Sequence, residues 1–375
     1  MQRAWPALLV ALAACTAQHD DARAPANTGL RYLGGVADLG FERATEPREL
    51  RFPADHGGHP TFQTEWWYLT GNLAGADGRH FGFELTFFRY AVAAATSTHE
   101  AASAWRADQI WMAHFAITDT QEQRFLTAER LSRQALGLAG VTAEPLRVWV
   151  EDWSLEGGEA AGRLALRAEA HDESIDLALD LMATQPPVAH GTAGLSHKGA
   201  TVGNASYYYS VPHLEAGGSV GIEGATFTVT GTAWLDREWS TSSLEAGIVG
   251  WDWFALHISD GASLMFYRLR TESGESSPHS GGSYVSPAGV RTELSAADVA
   301  LTPLDHWTSR TTGTRYPTAW RLLLASQGLD LEIRPYLQQQ EVDLSVRYWE
   351  GAVHADGRGA QGRMTAQGYL ELAGY

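Results

Sequence analysis

The sequence predicts an all-β fold, and three observations support this prediction. The 375 residues include 14 Trp, 13 Tyr and 12 Phe beside 39 Gly, a balance that favours strands joined by turns. Most of the chain consists of short runs that alternate apolar and polar residues and are separated by Gly, Asp, Asn and Pro. No stretch after residue 15 carries a long helical stripe. Such a pattern is typical of β-sandwiches and β-barrels.

The N-terminal segment has the features of a secretory leader. Residues 1–14 contain a basic Arg3, a short apolar run and then small residues that end at Cys15, the only cysteine of the chain. We therefore predict that residues 1–14 are a cleaved signal peptide. The apolar run is too short for a hydrocarbon core of about 30 Å, which needs about 20 apolar residues. The alternative is an ordinary leader that contains a cysteine by chance.

The residues around Cys15 resemble a bacterial lipobox, in the form Leu12-Ala-Ala-Cys15. The resemblance implies that the cysteine thiol is acylated and becomes the new N-terminus, so that the lipid anchors the chain to a membrane. An Asp after the cysteine would resemble the inner-membrane retention signal, but Thr16 stands there. We therefore expect a lipid-anchored protein of the bacterial cell envelope, at the outer membrane and facing the periplasm.

The composition excludes several classes of function. A formal net charge of -17 at pH 7 argues against a nucleic-acid partner and against a basic patch for anionic lipids. Once Cys15 carries lipid, the mature chain has no thiol for a disulfide, a cysteine nucleophile or a thiolate metal site. Residues 15–46 are polar and Ala-rich with weak periodicity, so we predict a lipidated N-terminus and flexible tether there.

The strands follow in order after the tether. Residues 66–73 and 80–90 flank the turn Asp77-Gly78 and are predicted to form a hairpin. Further strands are predicted at residues 110–117, 146–155, 163–169, 175–182, 206–211, 225–235, 251–258, 263–271, 282–285, 320–324, 329–335 and 348–354. The turn Asp260-Gly261 resembles the first one, and each precedes an aromatic run that ends at Arg. We therefore predict two related β-domains, over residues 47–245 and 246–375.

Tryptophan-rich segments with ionisable residues mark the candidate site, at 64–68, 234–239, 251–257 and 348–351. A carboxyl group held among indole rings loses contact with water, so its pKa rises and it can act as a general acid near neutral pH. The aromatic faces would stabilise a developing carbocation. This combination favours protonation of an alkene or polyene in an apolar pocket, with Asp236 and Glu238 as the first candidates for the acid.

An alternative for these carboxylates is structural. Arg89, Arg237, Arg268 or Arg270 could pair with them inside a wide barrel, since buried charges in proteins are usually paired. Pairing would lower the carboxylate pKa and remove its acidity. The sequence leaves both interpretations open for each residue.

Strand alternation indicates which residues line a pocket. In residues 251–258, Trp251, Trp253 and His257 share one face. On the following strand Tyr267 lies on the face of Met265 and Leu269 and could be the polar group of an apolar pocket. A core filled with aromatic residues is the alternative.

A zinc-protease motif is missing. The chain has no His-Glu-x-x-His, so a zincin is not supported. The loop Asp55-His-Gly-Gly-His-Pro60 has two histidines, and a metal there is an alternative to a structured turn. We predict no metal and no cofactor.

Six longer segments of the sequence resemble segments of one protein family. They are Phe52-Pro-Ala-Asp-His-Gly-Gly-His59, Thr64-Glu-Trp-Trp-Tyr-Leu-Thr-Gly71, Ala233-Trp-Leu-Asp-Arg-Glu-Trp-Ser-Thr-Ser242, Gly250-Trp-Asp-Trp-Phe-Ala-Leu-His257, Tyr348-Trp-Glu-Gly351 and Gly368-Tyr-Leu-Glu-Leu-Ala-Gly-Tyr375. They are similar to the AttH family of predicted secreted hydrolases, which are relatives of carotenoid 1,2-hydratase. The resemblance extends from Phe52 to the C-terminus and implies two lipocalin-like antiparallel β-barrel domains in tandem.

The same resemblance implies a chemistry. The hydratase branch adds water across a terminal carotenoid double bond without a cofactor, using an aspartate near a His-x-Trp pair and a tyrosine. Trp239 matches the tryptophan of that pair, Arg237 stands in place of the histidine, and Tyr267 matches the tyrosine. Leu269 stands where an acid is expected. Asp236 or Glu238 would therefore have to serve as the acid, or the substrate differs.

These arguments predict a lipoprotein that binds a hydrophobic small molecule, such as an isoprenoid, a carotenoid or a lipid. A Trp-shielded carboxylate could support hydratase or hydrolase chemistry with water as the nucleophile. The candidate catalytic residues are Asp236, Glu238 and Tyr267, and the candidate ligand-binding residues are Glu65, Trp66, Trp67, Arg237, Trp239, Trp251, Trp253, His257 and Trp349. Two alternatives stay open. One is a non-catalytic carrier that works with an ABC transporter complex, since AttH-type proteins resemble components associated with ABC transporters. The other is a structural envelope protein.

Overall fold

The computed structural model describes residues 40–94, 107–242 and 244–375. The predicted signal peptide, the acylation site Cys15 and most of the predicted tether lie outside the described residues. Apart from two short 3-10 helices, Ala54–His56 and Ala325–Gln327, the regular elements of the described chain are β-strands. None of these described helices has the length and apolar character that crossing a bilayer requires.

The N-terminal sheet contains 13 antiparallel strands. They are β1 (Thr64–Gly75), β2 (His80–Ala91), β3 (Gln109–Asp119), β4 (Arg124–Arg133), β5 (Ala139–Ala143), β6 (Leu146–Val150), β7 (Trp153–Ala160), β8 (Arg163–His171), β9 (Ile175–Ala183), β10 (Val188–Ala189), β11 (Leu195–His197), β12 (Ala205–Ile222) and β13 (Ala225–Ser240). Their spatial order is β4-β3-β2-β1-β13-β12-β9-β8-β7-β6-β5, with β10 and β11 paired to β12. The first strand therefore pairs with the last.

The C-terminal sheet contains ten strands and repeats this plan. They are β14 (Ile248–Ile258), β15 (Ser263–Thr271), β16 (Gly281–Val285), β17 (Arg291–Ser295), β18 (Val299–Thr308), β19 (Arg315–Leu324), β20 (Leu329–Pro335), β21 (Glu341–Asp343), β22 (Arg347–Gly359) and β23 (Gly362–Ala373). The order is β17-β16-β15-β14-β23-β22-β20-β19-β18, with β21 beside β22. Again the first strand, β14, pairs with the last, β23.

Each curled sheet encloses an apolar core, and a third apolar layer lies between the sheets. We call this layer the seam: it joins the outer faces of β1, β2, β12 and β13 to those of β14, β15, β22 and β23. Because side chains alternate along a strand, β1 sends Trp67 into the N-terminal core and Tyr68 into the seam. Both faces of the strands at the seam are therefore buried.

Most predicted strands are confirmed, and two agree residue for residue, 263–271 with β15 and 329–335 with β20. Both Asp-Gly turns join neighbouring strands, with φ of +83° at Gly78 and +91° at Gly261, a conformation that glycine adopts easily. The prediction of a single strand over residues 146–155 is wrong. That segment forms β6 and β7, because Glu151 turns the chain with φ of +58°.

The two sheets place an ion pair at equivalent positions. Glu65 of β1 lies directly opposite Arg89 of β2, and Asp252 of β14 lies directly opposite Arg268 of β15. Arg89 Nε lies 3.0 Å from Glu65 Oε2, and Arg268 Nε lies 2.6 Å from Asp252 Oδ2. Both carboxylates are fully buried. These two carboxylates are therefore paired with arginines inside the sheets, as the structural alternative predicts.

Candidate functional site

A cavity of about 150 Å³ lies in the seam, and residues of both sheets line it. Its aromatic lining is Trp66, Tyr68, Phe88, Tyr208, Trp251, Trp253, Tyr267 and Tyr348, and its ionisable lining is Lys198, Asp236, Glu238 and Glu371. An apolar cavity of about 150 Å³ is large enough for a benzene ring. The site therefore accommodates a one-ring molecule or the end of a longer one.

Asp236 reaches the cavity because of the alternation of β13, which directs Trp234, Asp236 and Glu238 into the seam. Its carboxylate accepts hydrogen bonds from the Tyr208 and Ser210 hydroxyl groups and, at 2.6 Å, from Trp234 Nε1. No cationic side chain of the described residues pairs with it. Burial raises the pKa of Asp236 to about 7, although the three donors act in the opposite direction. This carboxyl group can therefore hold or release a proton near neutral pH.

Glu371 is a second carboxyl group in the same cavity, and the sequence reasoning did not select it. It lies on β23 and accepts a hydrogen bond of 2.7 Å from Trp251 Nε1. Burial raises the pKa of Glu371 to about 7, and the negative charges of Asp236 and Glu238 add to this effect. Glu371 belongs to the last of the segments that resemble the family, residues 368–375. However, β23 was not among the predicted strands, so the sequence did not indicate which of its side chains share a face.

Glu238 lies in a different environment, because it is ion-paired. Lys198 Nζ lies 3.2 Å from Glu238 Oε1 and 3.8 Å from the centre of the Tyr267 ring. Burial alone would lower the pKa of Lys198, but Glu238 and Tyr267 outweigh burial and raise it. The Tyr267 hydroxyl also lies 2.9 Å from Ser196 Oγ. Of the two acids predicted first, Asp236 has the geometry of a proton donor and Glu238 that of a salt-bridge partner.

Three predicted ligand-binding tryptophans, Trp66, Trp251 and Trp253, line the cavity. Two of them also orient polar groups, since Trp251 bonds to Glu371 and Trp253 Nε1 donates to the Tyr208 hydroxyl at 3.0 Å. His257 lies outside the cavity lining, with its Nε2 against the carbonyl oxygen of Pro212. The predicted Trp349 lies in the C-terminal core, where its Nε1 donates to the Gln338 carbonyl at 2.8 Å.

The other predicted ligand-binding residues, Glu65, Trp67, Arg237 and Trp239, lie together in the N-terminal sheet. With Arg89 and His59 they form what we call the Glu65 cluster. Arg237 Nη2 lies 2.8 Å from Glu65 Oε1, and the Arg237 guanidinium stacks over Trp67 at 3.9 Å. Although burial would raise the pKa of Glu65, the Arg237 and Arg89 guanidinium groups lower it well below its usual range. The cluster is on the opposite face of β1 and β13 from the cavity.

The loop with two histidines covers this cluster. His59 stacks on Trp239 with 3.7 Å between ring centres. Its Nδ1 lies 2.7 Å from Glu65 Oε1, and its Nε2 lies 3.1 Å from Asp55 Oδ1. His56 Nδ1 lies 2.7 Å from the Tyr209 hydroxyl. These contacts describe a structured turn, which was the alternative to a metal site.

A pair of carboxyl groups lies deeper in the seam. Glu84 of β2 and Glu350 of β22 are fully buried, and no cation of the described residues pairs with either. The Tyr68 hydroxyl donates to Glu350. Burial raises the pKa of Glu84 to about 8. Burial, together with the charges of Glu371 and Glu84, also raises the pKa of Glu350 well above its usual value. At neutral pH Glu84 therefore retains its proton.

Replacing Glu84 with Gln is expected to stabilise the protein at pH 8. The carboxyl group ionises near pH 4.5 in the unfolded chain and near pH 8 in the folded one. The free energy of unfolding of the wild type therefore falls as pH rises between these values. Glutamine carries no such penalty, so we expect a thermal midpoint several degrees higher at pH 8 and little change at pH 4. The exposed Glu332→Gln serves as the control; equal midpoints for wild type and Glu84→Gln at pH 8 would contradict the argument.

Two curled antiparallel sheets with an aromatic, carboxyl-bearing cavity between them define a two-domain, lipocalin-like β-protein. The chain belongs to the AttH-like family, whose model matches residues 43–375. The family resemblance and the all-β, tandem lipocalin-like fold predicted from the sequence are thereby confirmed.

The solved structures that are similar to this chain include two relatives of nearly full coverage. One is a provisionally assigned AttH protein from Nitrosomonas europaea, 32% identical, with 89% of this chain and 100% of that chain covered and a TM-score of 0.78. The other is kievitone hydratase from Nectria haematococca, 15% identical, with 90% of this chain and 98% of that chain covered and a TM-score of 0.66. The second likeness shows the fold alone. Among curated proteins, none matches this sequence.

Proposed function

We propose that this protein is a cofactor-independent hydratase, or an enzyme with related hydrolase-like chemistry, that acts on a small hydrophobic molecule bound in the seam cavity. One observation carries the proposal: Asp236 and Glu371 face the same aromatic cavity, both lack a cationic partner among the described residues, and both have a pKa near 7. Membership of the AttH-like family supports chemistry with water. A structural neighbour that is named as a hydratase favours hydration within that class.

The proposed reaction adds water across a carbon–carbon double bond. The protonated Asp236 carboxyl group gives its proton to one alkene carbon, and the π electron pair forms the new C–H bond. The positive charge on the other carbon faces Trp251 and Trp253, whose ring faces attract cations. Water then forms the C–O bond and gives a proton to the Glu371 carboxylate. Return of that proton to Asp236 through solvent restores both groups, so the net change is addition of one water molecule.

The cavity also limits the substrate class. Its volume of about 150 Å³ accommodates one ring or the end of an isoprenoid chain. A carotenoid or a lipid would have to extend beyond it. We further propose that acylation at Cys15 holds the enzyme at the outer membrane facing the periplasm, where hydrophobic substrates concentrate. The carrier alternative, with an ABC transporter as partner, stays a prediction.

Labelled water tests the proposal. Purified protein is incubated in H₂¹⁸O with cyclic alkenes, terminal isoprenoid alkenes and a lycopene-type polyene, and products are analysed by mass spectrometry. We expect gain of one labelled water in at least one substrate, and a loss of about 100-fold in rate for Glu371→Gln. The exposed Glu169→Gln is the matched control. If quenching of tryptophan fluorescence shows binding but no ligand gains water, the protein is a carrier and the proposal fails.

A further inference from the structure

A hydrogen-bonded chain connects Asp236 to the other sheet through a buried histidine that the proposed reaction does not use. His190, next to β10, is 1% exposed. Its Nε2 lies 2.6 Å from Ser210 Oγ, and the Ser210 hydroxyl contacts Asp236 Oδ1. Its Nδ1 lies 3.0 Å from Ser283 Oγ of β16, and Arg291 Nε of β17 lies 3.2 Å from the same oxygen. This series of hydrogen bonds therefore begins on the C-terminal sheet and ends at the candidate acid, Asp236, on the N-terminal sheet.

The ionised Asp236 carboxylate fixes the directions, because a carboxylate only accepts and a hydroxyl group has one proton to donate. The Ser210 hydroxyl donates to Asp236, so His190 Nε2 must donate to Ser210. A neutral imidazole that carries its proton on Nε2 accepts at Nδ1, so the Ser283 hydroxyl donates there while it accepts from Arg291 Nε. The histidine is held neutral, since burial, helped by the charges of Arg291 and Lys198, lowers its pKa well below the usual value.

We infer that His190 is a positioning residue: together with Ser283 and Arg291 it turns the Ser210 hydroxyl toward Asp236 and so sets how firmly Asp236 holds its proton. The inference rests on the proposed function only in assigning Asp236 the role of acid. Because the chain crosses the seam, the proton affinity of Asp236 depends on the contact between the two sheets. This links the separate domains to a single site.

Other groups also face Asp236 and must be accounted for. Tyr208 and Trp234 donate to its carboxylate, while Glu238, paired to Lys198, and Glu371 contribute charge. All of these groups stay unchanged in the variants proposed below. A change in the titration of Asp236 in those variants is therefore assigned to the His190 chain.

Carbon-13 NMR of protein labelled at the aspartate carboxyl carbon tests the inference without a substrate. The Asp236 signal is assigned by its loss in Asp236→Asn, and its midpoint is followed with pH. His190→Phe removes the donor that orients Ser210, so the midpoint is expected to rise by about one pH unit. His190→Gln can donate to Ser210 and accept from Ser283, so it should restore the wild-type midpoint. A folded His190→Phe with an unchanged midpoint would overturn the inference.

Ser283→Ala gives a second, milder test if His190→Phe does not fold. Ser283 does not contact Asp236, but its loss frees His190 to change tautomer, so we expect an upward move of the Asp236 midpoint and a new Nδ1–H population in the nitrogen-15 spectrum. His56→Gln, an equally buried histidine at the Glu65 cluster, is the control and should leave the midpoint unchanged. An unmoved midpoint in Ser283→Ala would overturn the inference even in an active enzyme. Failure of every substrate would count against the proposed function alone.

Discussion

The Asp236→Asn variant is expected to lose about 100- to 10,000-fold in turnover while remaining folded, because a positioned general acid contributes about that factor. Asparagine keeps the shape of the side chain and accepts from Ser210 and Trp234, but it has no proton to give to an alkene carbon. Binding of the ligand should change little, so the loss should appear in kcat rather than in KM. Steady-state kinetics on the substrate found with labelled water measures both constants.

The pH dependence follows from the two carboxyl groups. The acid must be protonated, so the rate should fall as pH rises above about 7, the pKa of Asp236. Glu371 must be ionised to accept a proton from water, so the rate should also fall below about 7, its own pKa. The result is a bell-shaped profile with its maximum near neutral pH, and its two apparent pKa values belong to the pair. The residual rate of Asp236→Asn should lose the alkaline limb.

The thermal stability of Asp236→Asn distinguishes a loss of catalysis from a loss of folding. Asp236 ionises near pH 3.8 in the unfolded chain and near 7 in the folded one, so its ionisation destabilises the wild type between these values. The thermal midpoint of Asp236→Asn at pH 8 should therefore equal or exceed that of the wild type. Asp180→Asn, an exposed aspartate of β9, is the matched control and should keep full turnover. Wild-type turnover in Asp236→Asn would rule out this residue as the acid.

Local signals were sufficient to predict most of the fold. Alternating runs and the Asp-Gly turns identified β1, β2, β14 and β15, because hairpin pairing involves neighbours in sequence. The closing pairs β1 with β13 and β14 with β23 join residues more than 100 positions apart, and no local pattern encodes them. The predicted strands also omit β4 and β18, whose residues are largely exposed or half-buried, so neither strand carries a strong apolar alternation.

The site could be predicted only in part, for a physical reason. Where both faces of a strand are buried, polarity does not reveal which face lines a cavity. Trp66 and Trp67 are neighbours of the same type, yet Trp66 lines the cavity and Trp67 belongs to the N-terminal core. Strand alternation predicted that Trp253 and Tyr267 line an apolar pocket, and both residues line the cavity in the structure. Glu371 and His190 act through partners on distant strands, so their roles depend on the tertiary fold.

The Glu65→Gln variant is expected to destabilise the N-terminal sheet by about 3–5 kcal/mol, which is typical when one partner of a buried ion pair is removed. The carboxylate lies between Arg89 and Arg237, and all three side chains are almost completely buried. Glutamine leaves two guanidinium groups without a counter-charge in a site that excludes water. Urea denaturation followed by tryptophan fluorescence measures the effect, since Trp67 and Trp239 belong to the same cluster.

Glu65→Gln is expected to lower the free energy of unfolding, whereas Glu84→Gln is expected to raise it at pH 8. A comparison of the two variants therefore tests the argument directly. Both residues are fully buried glutamates of neighbouring strands, but Glu65 is held ionised by two arginines and Glu84 is held protonated by burial. Ionisation of Glu65 therefore adds stability above its unfolded pKa of 4.5, and this contribution is lost as pH falls toward the lower folded value. Glu65→Gln should accordingly lose the part of the acid sensitivity that Glu65 contributes in that range. Asp330→Asn, which breaks an exposed pair with Arg321, should change stability by less than about 1 kcal/mol. If Glu65→Gln were as stable as that control, the buried ion pairs of Glu65 with Arg89 and Arg237 would not stabilise the N-terminal sheet.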